Sequence, residues 1–186
     1  MPGVDSVKKG YEEAVSEGFF HIHLLTGTHI VTGEFVAFKH PMTVSGDGRE
    51  NTIVEGGGFK IQGEKGKKCS FFDLTIQKTD RSGLYGDYGM SFDCRRVKFD
   101  DCVAYGVFAY DTKGRLTNCQ VTNCWMSGIS PNWESTIEIE GEESRINNNC
   151  TKRKRGHYGL YANDLSSSIH LLSPLTKEDV STNNNG

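Results

Sequence analysis

The chain has 186 residues, a formal net charge of −3 and 35% hydrophobic residues, with 22 glycines but only four prolines. This length allows one domain with a real core, and the small net charge predicts neither a nucleic-acid partner nor an anionic membrane surface. No apolar run approaches the ~20 residues of a membrane span, and the first residues show no signal-peptide segment. We therefore expect a soluble chain of unknown compartment, rich in short strands and turns.

Residues 6–19 predict an amphipathic helix. Its apolar positions fall on one side at helical spacing, namely Val7, Tyr11, Ala14 and Val15. The stretches that follow alternate apolar and polar residues and predict the first strands and turns, at 21–31, 34–48 and 52–56.

From residue 71 onward a unit of about 22 residues recurs. Its marker is a glycine followed by an apolar residue, at Gly83, Gly106, Gly128 and Gly159, with spacings of 23, 22 and 31 residues. Apolar residues alternate within each unit, as at residues 74–76 and 97–99, which is typical of short strands with one face inward. Polar insertions at 141–144 and 152–156 lengthen the last unit and predict loops.

Polar residues also recur between the strands and predict turns. Two sets fall at equivalent places in the repeat: Asp73, Arg96 and Asn118, with spacings of 23 and 22 residues, and Asp101, Asn123 and Asn149, with spacings of 22 and 26. A unit this short cannot close its own core, so it must stack on its neighbours as successive coils with parallel, in-register strands.

The predicted organisation is a capping helix region at 1–20, coils at 21–172 and a polar C-terminal tail at 173–186. The helix is expected to cover strand edges and apolar surface at the open end of the solenoid. A linker or the start of a further coil are alternatives for the tail, and its asparagine-rich end favours a flexible segment.

Six cysteines lie at 69, 94, 102, 119, 124 and 150, without a Cys-x-x-Cys motif. Cys102 and Cys124 fall at the repeat spacing, which favours buried thiols stacked in a core. Disulfides are the alternative, because the number is even.

The predicted helix is followed by the motifs HLLTGTHIV, MTVSGDG and NTIVEGG. These motifs, and the later GLY, GVF, GIS and GLY steps, resemble the pectin-lyase-like right-handed parallel β-helix proteins over roughly residues 5–172. The resemblance implies an all-β fold, a single-stranded right-handed parallel β-helix solenoid with an N-terminal capping α-helix. It says little about function, because this fold hosts lyases, hydrolases, epimerases, adhesins and tailspikes.

The resemblance to pectinolytic hydrolases implies paired aspartates and a Gly-His-Gly motif on neighbouring coils. Here Asp101 and His157 lie 56 residues apart, and Tyr158 interrupts the histidine motif. Resemblance to calcium-dependent lyases implies clustered aspartates, for which Asp87, Asp111 and Asp164 are the candidate catalytic or Ca²⁺-binding residues. The alternative is that these aspartates end strands and begin turns.

Aromatic and amide side chains follow the repeat glycines. An outward row of them is a candidate glycan-binding strip, because aromatic rings pack on pyranose faces; stacking that only stabilises the sheet is the alternative. The candidate ligand-binding residues are Tyr85, Tyr110, Asn132, Trp133, Tyr161 and Asn163.

Two further patterns carry weaker indications. Residues 152–155 (KRKR) are interpreted as a solvated loop, with phosphate or sulfated-sugar binding as the alternative. His21 and His23 alternate on one strand and share a face, but two histidines without a third ligand do not define a metal site, and we predict none.

The regular repeat and the missing catalytic pattern favour a non-catalytic β-helix module, structural or carbohydrate-binding, alone or within a larger assembly. The alternative is a polysaccharide-active lyase, epimerase or hydrolase. The expected partner is a polysaccharide or glycan surface, and no cofactor beyond the Ca²⁺ considered above is predicted.

Overall fold

The computed structural model describes residues 2–152 and 156–185, which contain two helices and sixteen strands. Most of the predicted 152–155 loop therefore lies outside the described residues. The helices are α1 (Ser6–Glu17) and α2 (Lys177–Val180). The strands are β1 (His21–Leu24), β2 (Gly27–Ile30), β3 (Phe35–Phe38), β4 (Thr43–Gly46), β5 (Thr52–Gly56), β6 (Gly58–Phe72), β7 (Thr75–Thr79), β8 (Leu84–Arg95), β9 (Lys98–Asp100), β10 (Val107–Tyr110), β11 (Lys113–Thr117), β12 (Gln120–Thr122), β13 (Ile129–Asn132), β14 (Thr136–Glu140), β15 (Arg145–Asn147) and β16 (Ser168–Leu171).

The strands pair in parallel and form two sheets. One sheet has the order β15-β12-β9-β7-β5-β2, and the main path of the other is β1-β4-β6-β8-β11-β14-β16. Each strand thus pairs with the equivalent strand one coil away, as Val107 does with Leu84 and with Ile129. The predicted parallel solenoid with in-register coils is confirmed.

Each coil presents three faces, which are clearest in β10, β11 and β12. The first face contains β10, β13 and the first half of β8; the second contains β11, β14, β16 and the second half of β8. The third face is the sheet that ends in β15 and β2. Strand β8 turns from the first face to the second at Tyr88 and Gly89, whose φ angles are 54° and 77°.

The interior of the solenoid is filled by stacked apolar side chains from all three faces. Full burial of a side chain such as Leu74, Phe99 or Leu116 contributes roughly 1.5–3 kcal/mol relative to exposure. All six cysteines are described, and they are buried free thiols, which confirms the favoured interpretation. Burial raises the pKa of Cys119 to about 12, so this thiol stays protonated and packs as a small apolar group.

The turn residues between the second and third faces share one backbone conformation. Asp73, Arg96 and Asn118 have φ angles of 55°, 53° and 52°, so their predicted equivalence is confirmed. The second predicted set was wrong by one residue, because Thr122 pairs with Asn147 and the equivalent of Asn123 is therefore Asn148. Asn123 and Asn148 have φ angles of 58° and 56°, a left-handed conformation that asparagine tolerates.

Asn149 takes the interior position that Cys124 occupies one coil earlier. Its Oδ1 accepts a hydrogen bond from the Cys124 N–H at 3.0 Å, and its Nδ2 donates to the Val121 carbonyl at 2.9 Å. Asn184 repeats this pattern one level on, accepting from the Asn149 N–H at 2.9 Å and donating to the Ile146 carbonyl at 3.0 Å. The two asparagines form a ladder that satisfies backbone groups inside the corner.

The segment predicted as a polar tail packs against the last coil. A capping box at Thr176 begins α2, and Val180 is fully buried. Asn183 has a φ angle of 55°, like Asn148, and the Asn148 N–H donates to the Thr182 carbonyl. Residues 182–185 therefore resemble the corner of a further coil more closely than a flexible tail.

Helix α1 packs against the N-terminal coil. Val7, Tyr11 and Ala14 are buried as predicted, whereas Val15 is 36% exposed. The Tyr11 ring meets Phe38 edge-on at 4.9 Å, and its hydroxyl accepts from the Lys39 N–H at 2.8 Å. Among the described residues, neither helix has the length and apolar character that crossing a membrane requires.

We expect the substitution Asn149→Ala to lower the free energy of unfolding by about 2–4 kcal/mol, because it removes two buried hydrogen bonds and takes away the acceptor of the Cys124 N–H. Chemical denaturation followed by circular dichroism measures this. The control Gln120→Ala, on the outward side of β12, is expected to change stability by less than about 0.5 kcal/mol. Equal stability of the two variants would contradict a stabilising role for the ladder.

Candidate functional site

The corner between the first and second faces holds three aligned residues, Tyr88, Asp111 and Trp133. Their φ angles are 54°, 46° and 51°, a left-handed region that costs roughly 1–2 kcal/mol for a residue with a Cβ atom. Despite this cost the corner exposes large rings, since Tyr88 is 55% and Trp133 61% exposed. Because the other corners adopt the same backbone conformation, the exposed rings and not the backbone distinguish this corner.

The rings at this corner form a continuous aromatic ridge, which consists of Tyr88, Tyr110 and Trp133. Tyr88 meets Tyr110 edge-on with ring centroids 5.0 Å apart. Tyr110 and Trp133 are stacked at 5.9 Å with an interplanar angle of 16°. The ridge therefore crosses successive coils and presents ring surface to solvent.

A groove runs from the ridge across the second face. It consists of two cavities of about 410 and 360 Å³ that share Ser91 and Lys113 as lining residues. Asp111 and Glu134, which directly follow Tyr110 and Trp133 in the chain, line the cavity next to the ridge. The farther cavity is lined by more cations than anions, namely Lys68, Arg95, Lys113 and Arg115 against Asp93 and Glu138.

The floor of the groove contains a column of alternating charge. Strand register places Asp93 beside Arg115 and Arg115 beside Glu138. The Asp93 side chain is only 7% exposed and accepts a hydrogen bond from Arg95 at 3.0 Å. Because stacked strands lie roughly 4.8 Å apart, neighbouring like charges would repel, and the alternation stabilises the column.

Asp87 lies on the first face, away from this floor. Its carboxylate pairs with Lys60 at 2.7 Å and accepts from the Tyr85 hydroxyl at 3.3 Å. Burial, reinforced by the Asp87 charge, raises the pKa of Tyr85 to about 12. Asp87 is therefore one half of an ion pair with Lys60. In the strand register it lies beside Tyr110 and not beside Asp111.

Asp164 organises the corner below the ridge. Its carboxylate accepts hydrogen bonds from the Trp133 N–H at 2.7 Å and the Ser166 N–H at 2.9 Å, and from the hydroxyls of Ser166 and Ser167. These hydrogen bonds, led by that of the Ser166 hydroxyl, lower the pKa of Asp164 to about 2. Asp164 thus fixes the backbone that carries Trp133.

The three candidate acids do not converge. Asp87 is paired on the first face, Asp111 borders the groove and Asp164 is bound within a turn. In the part of the chain that the structure describes, no three His, Cys, Asp or Glu side chains are grouped so that they could hold a metal ion.

The candidate binding residues fall into separate groups. Tyr110 and Trp133 meet in the ridge, whereas Asn132 is only 8% exposed and bonds to the Ser130 hydroxyl at 3.2 Å. Tyr161 packs against Tyr158 at 5.5 Å, and Asn163 is exposed on the neighbouring level.

Asp93 and Glu138 were not predicted as site residues from the sequence. Asp93, Arg115 and Glu138 follow one another at 22 and 23 residues, the period of the repeat, and this spacing was the available signal. Tyr88 belongs to the row of aromatic residues that follow the repeat glycines, but its contact with Tyr110 depends on the bend in β8.

The hydrogen bonds to Asp164 predict a pH-dependent stability. Its pKa is lowered in the folded state, so its contribution is present above the unfolded value near 4 and is lost as pH falls to about 2. We therefore expect Asp164→Asn to melt at a lower temperature than the parent at neutral pH, with the difference closing between about pH 4 and 2. Thermal melts across this range measure it; a gap independent of pH would contradict the assignment.

Comparison with known proteins agrees with this architecture. Neither the curated proteins nor the solved structures contain a significant match to the chain. A family model described as a right-handed β-helix region matches residues 42–149, more than half of the chain. These residues include the aromatic ridge, the whole charged column and most of the stacked coils. The chain belongs to the right-handed β-helix family.

Proposed function

We propose that this protein is a glycan-binding β-helix module, which holds a polysaccharide against the aromatic ridge and along the groove. The observation that carries the proposal is the exposed, stacked ridge of Tyr88, Tyr110 and Trp133 beside a polar groove. Aromatic rings offer flat apolar surface to the C–H faces of a sugar, and the groove supplies donors and acceptors for its hydroxyls.

The ridge is poorly suited to a purely stabilising role. A ring that only stabilised the sheet would gain from burial, yet Trp133 is 61% exposed at a residue with a φ angle of 51°. Asp164 holds the Trp133 backbone through a 2.7 Å hydrogen bond, so the ring is presented from a fixed support. Preorganisation of this kind lowers the entropy cost of binding.

The charges of the farther cavity favour a glycan that carries carboxylate groups. Asp93 and Glu138 are each engaged with an arginine, whereas the Lys113 side chain is exposed at the centre of the groove. We therefore expect tighter binding to a polyuronate than to a neutral polymer, and weaker binding as salt screens the charges. The proposal assigns no cleavage role to Asp87, Asp111 or Asp164.

We expect Trp133→Ala and Tyr110→Ala each to weaken binding of an oligouronate by about tenfold or more, because each loses stacking worth roughly 1–2 kcal/mol. Isothermal titration calorimetry against oligogalacturonate and a neutral xylo-oligosaccharide measures both affinity and preference. Phe20→Ala, which removes an aromatic side chain 67% exposed outside the ridge, is the matched control and should bind like the parent. Equal affinity of all three variants, or no binding to any glycan in an array, would refute the proposal.

A further inference from the structure

A chain of hydrogen bonds joins four side chains at the N-terminal end of the second face: His21 and His23 on β1, Ser45 on β4, and Asp47 directly after β4. His21 Nε2 and His23 Nδ1 both lie within hydrogen-bond distance of Ser45 Oγ, at 2.8 and 2.9 Å. His23 Nε2 lies 2.9 Å from Asp47 Oδ1. The in-register pairing of His23 with Ser45 brings these groups together across 22 residues of sequence.

The chemistry of Asp47 sets the direction of every hydrogen bond in this chain. Its other oxygen accepts from the Thr26 N–H at 2.7 Å, and the hydrogen bonds from Thr26 and His23 lower the pKa of Asp47, so it is an ionised acceptor. His23 Nε2 must then carry a proton, which leaves Nδ1 as an acceptor in the neutral ring. The Ser45 hydroxyl consequently donates to His23, and Ser45 Oγ accepts from His21 Nε2–H.

This arrangement has the parts that an activated serine requires. A nucleophile is hydrogen-bonded to a base, and the base is oriented by a carboxylate that stabilises its charged form. In the well-known serine protease triad, the histidine Nε2 faces serine and Nδ1 faces aspartate. Here Nδ1 faces Ser45 and Nε2 faces Asp47, but the roles depend on geometry and not on which ring nitrogen is used.

We propose that Ser45, His23 and Asp47 form an acyl-transfer site that hydrolyses exposed carboxylic esters. The Ser45 Oγ–H proton passes to His23 Nδ1 as Oγ bonds to the ester carbonyl carbon. The carbon–oxygen bond to the leaving alcohol then breaks, and His23 returns the proton to that alcohol. Water attacks the acyl-serine in the same way, giving up a proton through His23, and the carboxylic acid leaves as Ser45 regains its hydrogen.

The remaining side chains have distinct parts in this step. Asp47 is a positioning residue that fixes the tautomer of His23. His21 Nε2–H donates to Ser45 Oγ at 2.8 Å and so helps to orient the hydroxyl toward His23.

The exposure of the site indicates the class of substrate. The side chains of His23 and Asp47 are 47% and 37% exposed, and they stand on an open sheet face. Such a site suits acyl groups that project from a polymer or a surface, for example O-acyl esters, and not a small ester that must be enclosed. The site is separate from the ridge, so the inference does not depend on the proposed glycan binding.

The test uses the full chain and a fluorophosphonate probe, which forms an Oγ–phosphorus bond with activated serines as fluoride leaves. Peptide mass spectrometry is expected to locate the adduct on Ser45 and to find none there in Ser45→Ala. Ser70→Ala removes a serine from the same face outside the cluster and should leave the labelling rate unchanged. Release of acetate from an O-acetylated polysaccharide is expected to follow the same order across the variants.

Asp47→Asn is expected to slow labelling by about tenfold or more, because it removes the charge that orients His23. Nitrogen-15 NMR of the imidazoles gives a second readout, the tautomer of His23. In the parent we expect His23 to be protonated at Nε2 and not at Nδ1, and in Asp47→Asn we expect this preference to weaken. An unlabelled Ser45 in folded protein, a His23 protonated at Nδ1, or unchanged labelling in Asp47→Asn would each overturn the proposal.

Discussion

The in-register stacking of parallel strands is the interaction on which the whole structure depends. Strand N–H and C=O groups bond to the coils above and below, so each residue lies beside its own equivalents roughly 4.8 Å away. The side chain at a given position must therefore pack well beside the same residue, or beside one of opposite charge, in the next coil. Inside, this condition gives stacks of thiols and rings and the pairing of Asn149 with Asn184. Outside, it gives the alternation of Asp93, Arg115 and Glu138.

The same rule explains why both candidate sites lie on the outer surface. A filled interior leaves no room for a ligand, and outward side chains are free to vary once the inward ones have closed the core. The ridge uses this freedom at a corner, where Tyr88 and Trp133 project from strained backbone. The Ser45 cluster uses it on a flat strand pair, where register alone aligns His23 with Ser45.

The repeat of glycines, apolar pairs and cysteines was sufficient to predict the solenoid, because each signal reports an inward position with strict size and polarity requirements. The sites were less predictable. Asp93, Arg115 and Glu138 do follow the period of the repeat, but the chosen repeat marker did not include them, and the strand register shows that they stand side by side. His21 and His23 were seen to share a face, but their partner Ser45 belongs to another strand. Asn184 carries no apolar neighbours in sequence, so its place in the corner ladder was invisible.

The short offset between stacked strands also has a consequence for how the chain folds. Val107 pairs with residues 23 positions before it and 22 positions after it, and most coils repeat this modest separation. Every step of assembly then closes a loop of similar length and similar entropy, so growth from one formed coil to the next needs no distant encounter. Opening is equally local in such an array. The coil that carries His23 and the coils that carry the ridge are therefore expected to lose order in separate events, each with its own amide-exchange rate.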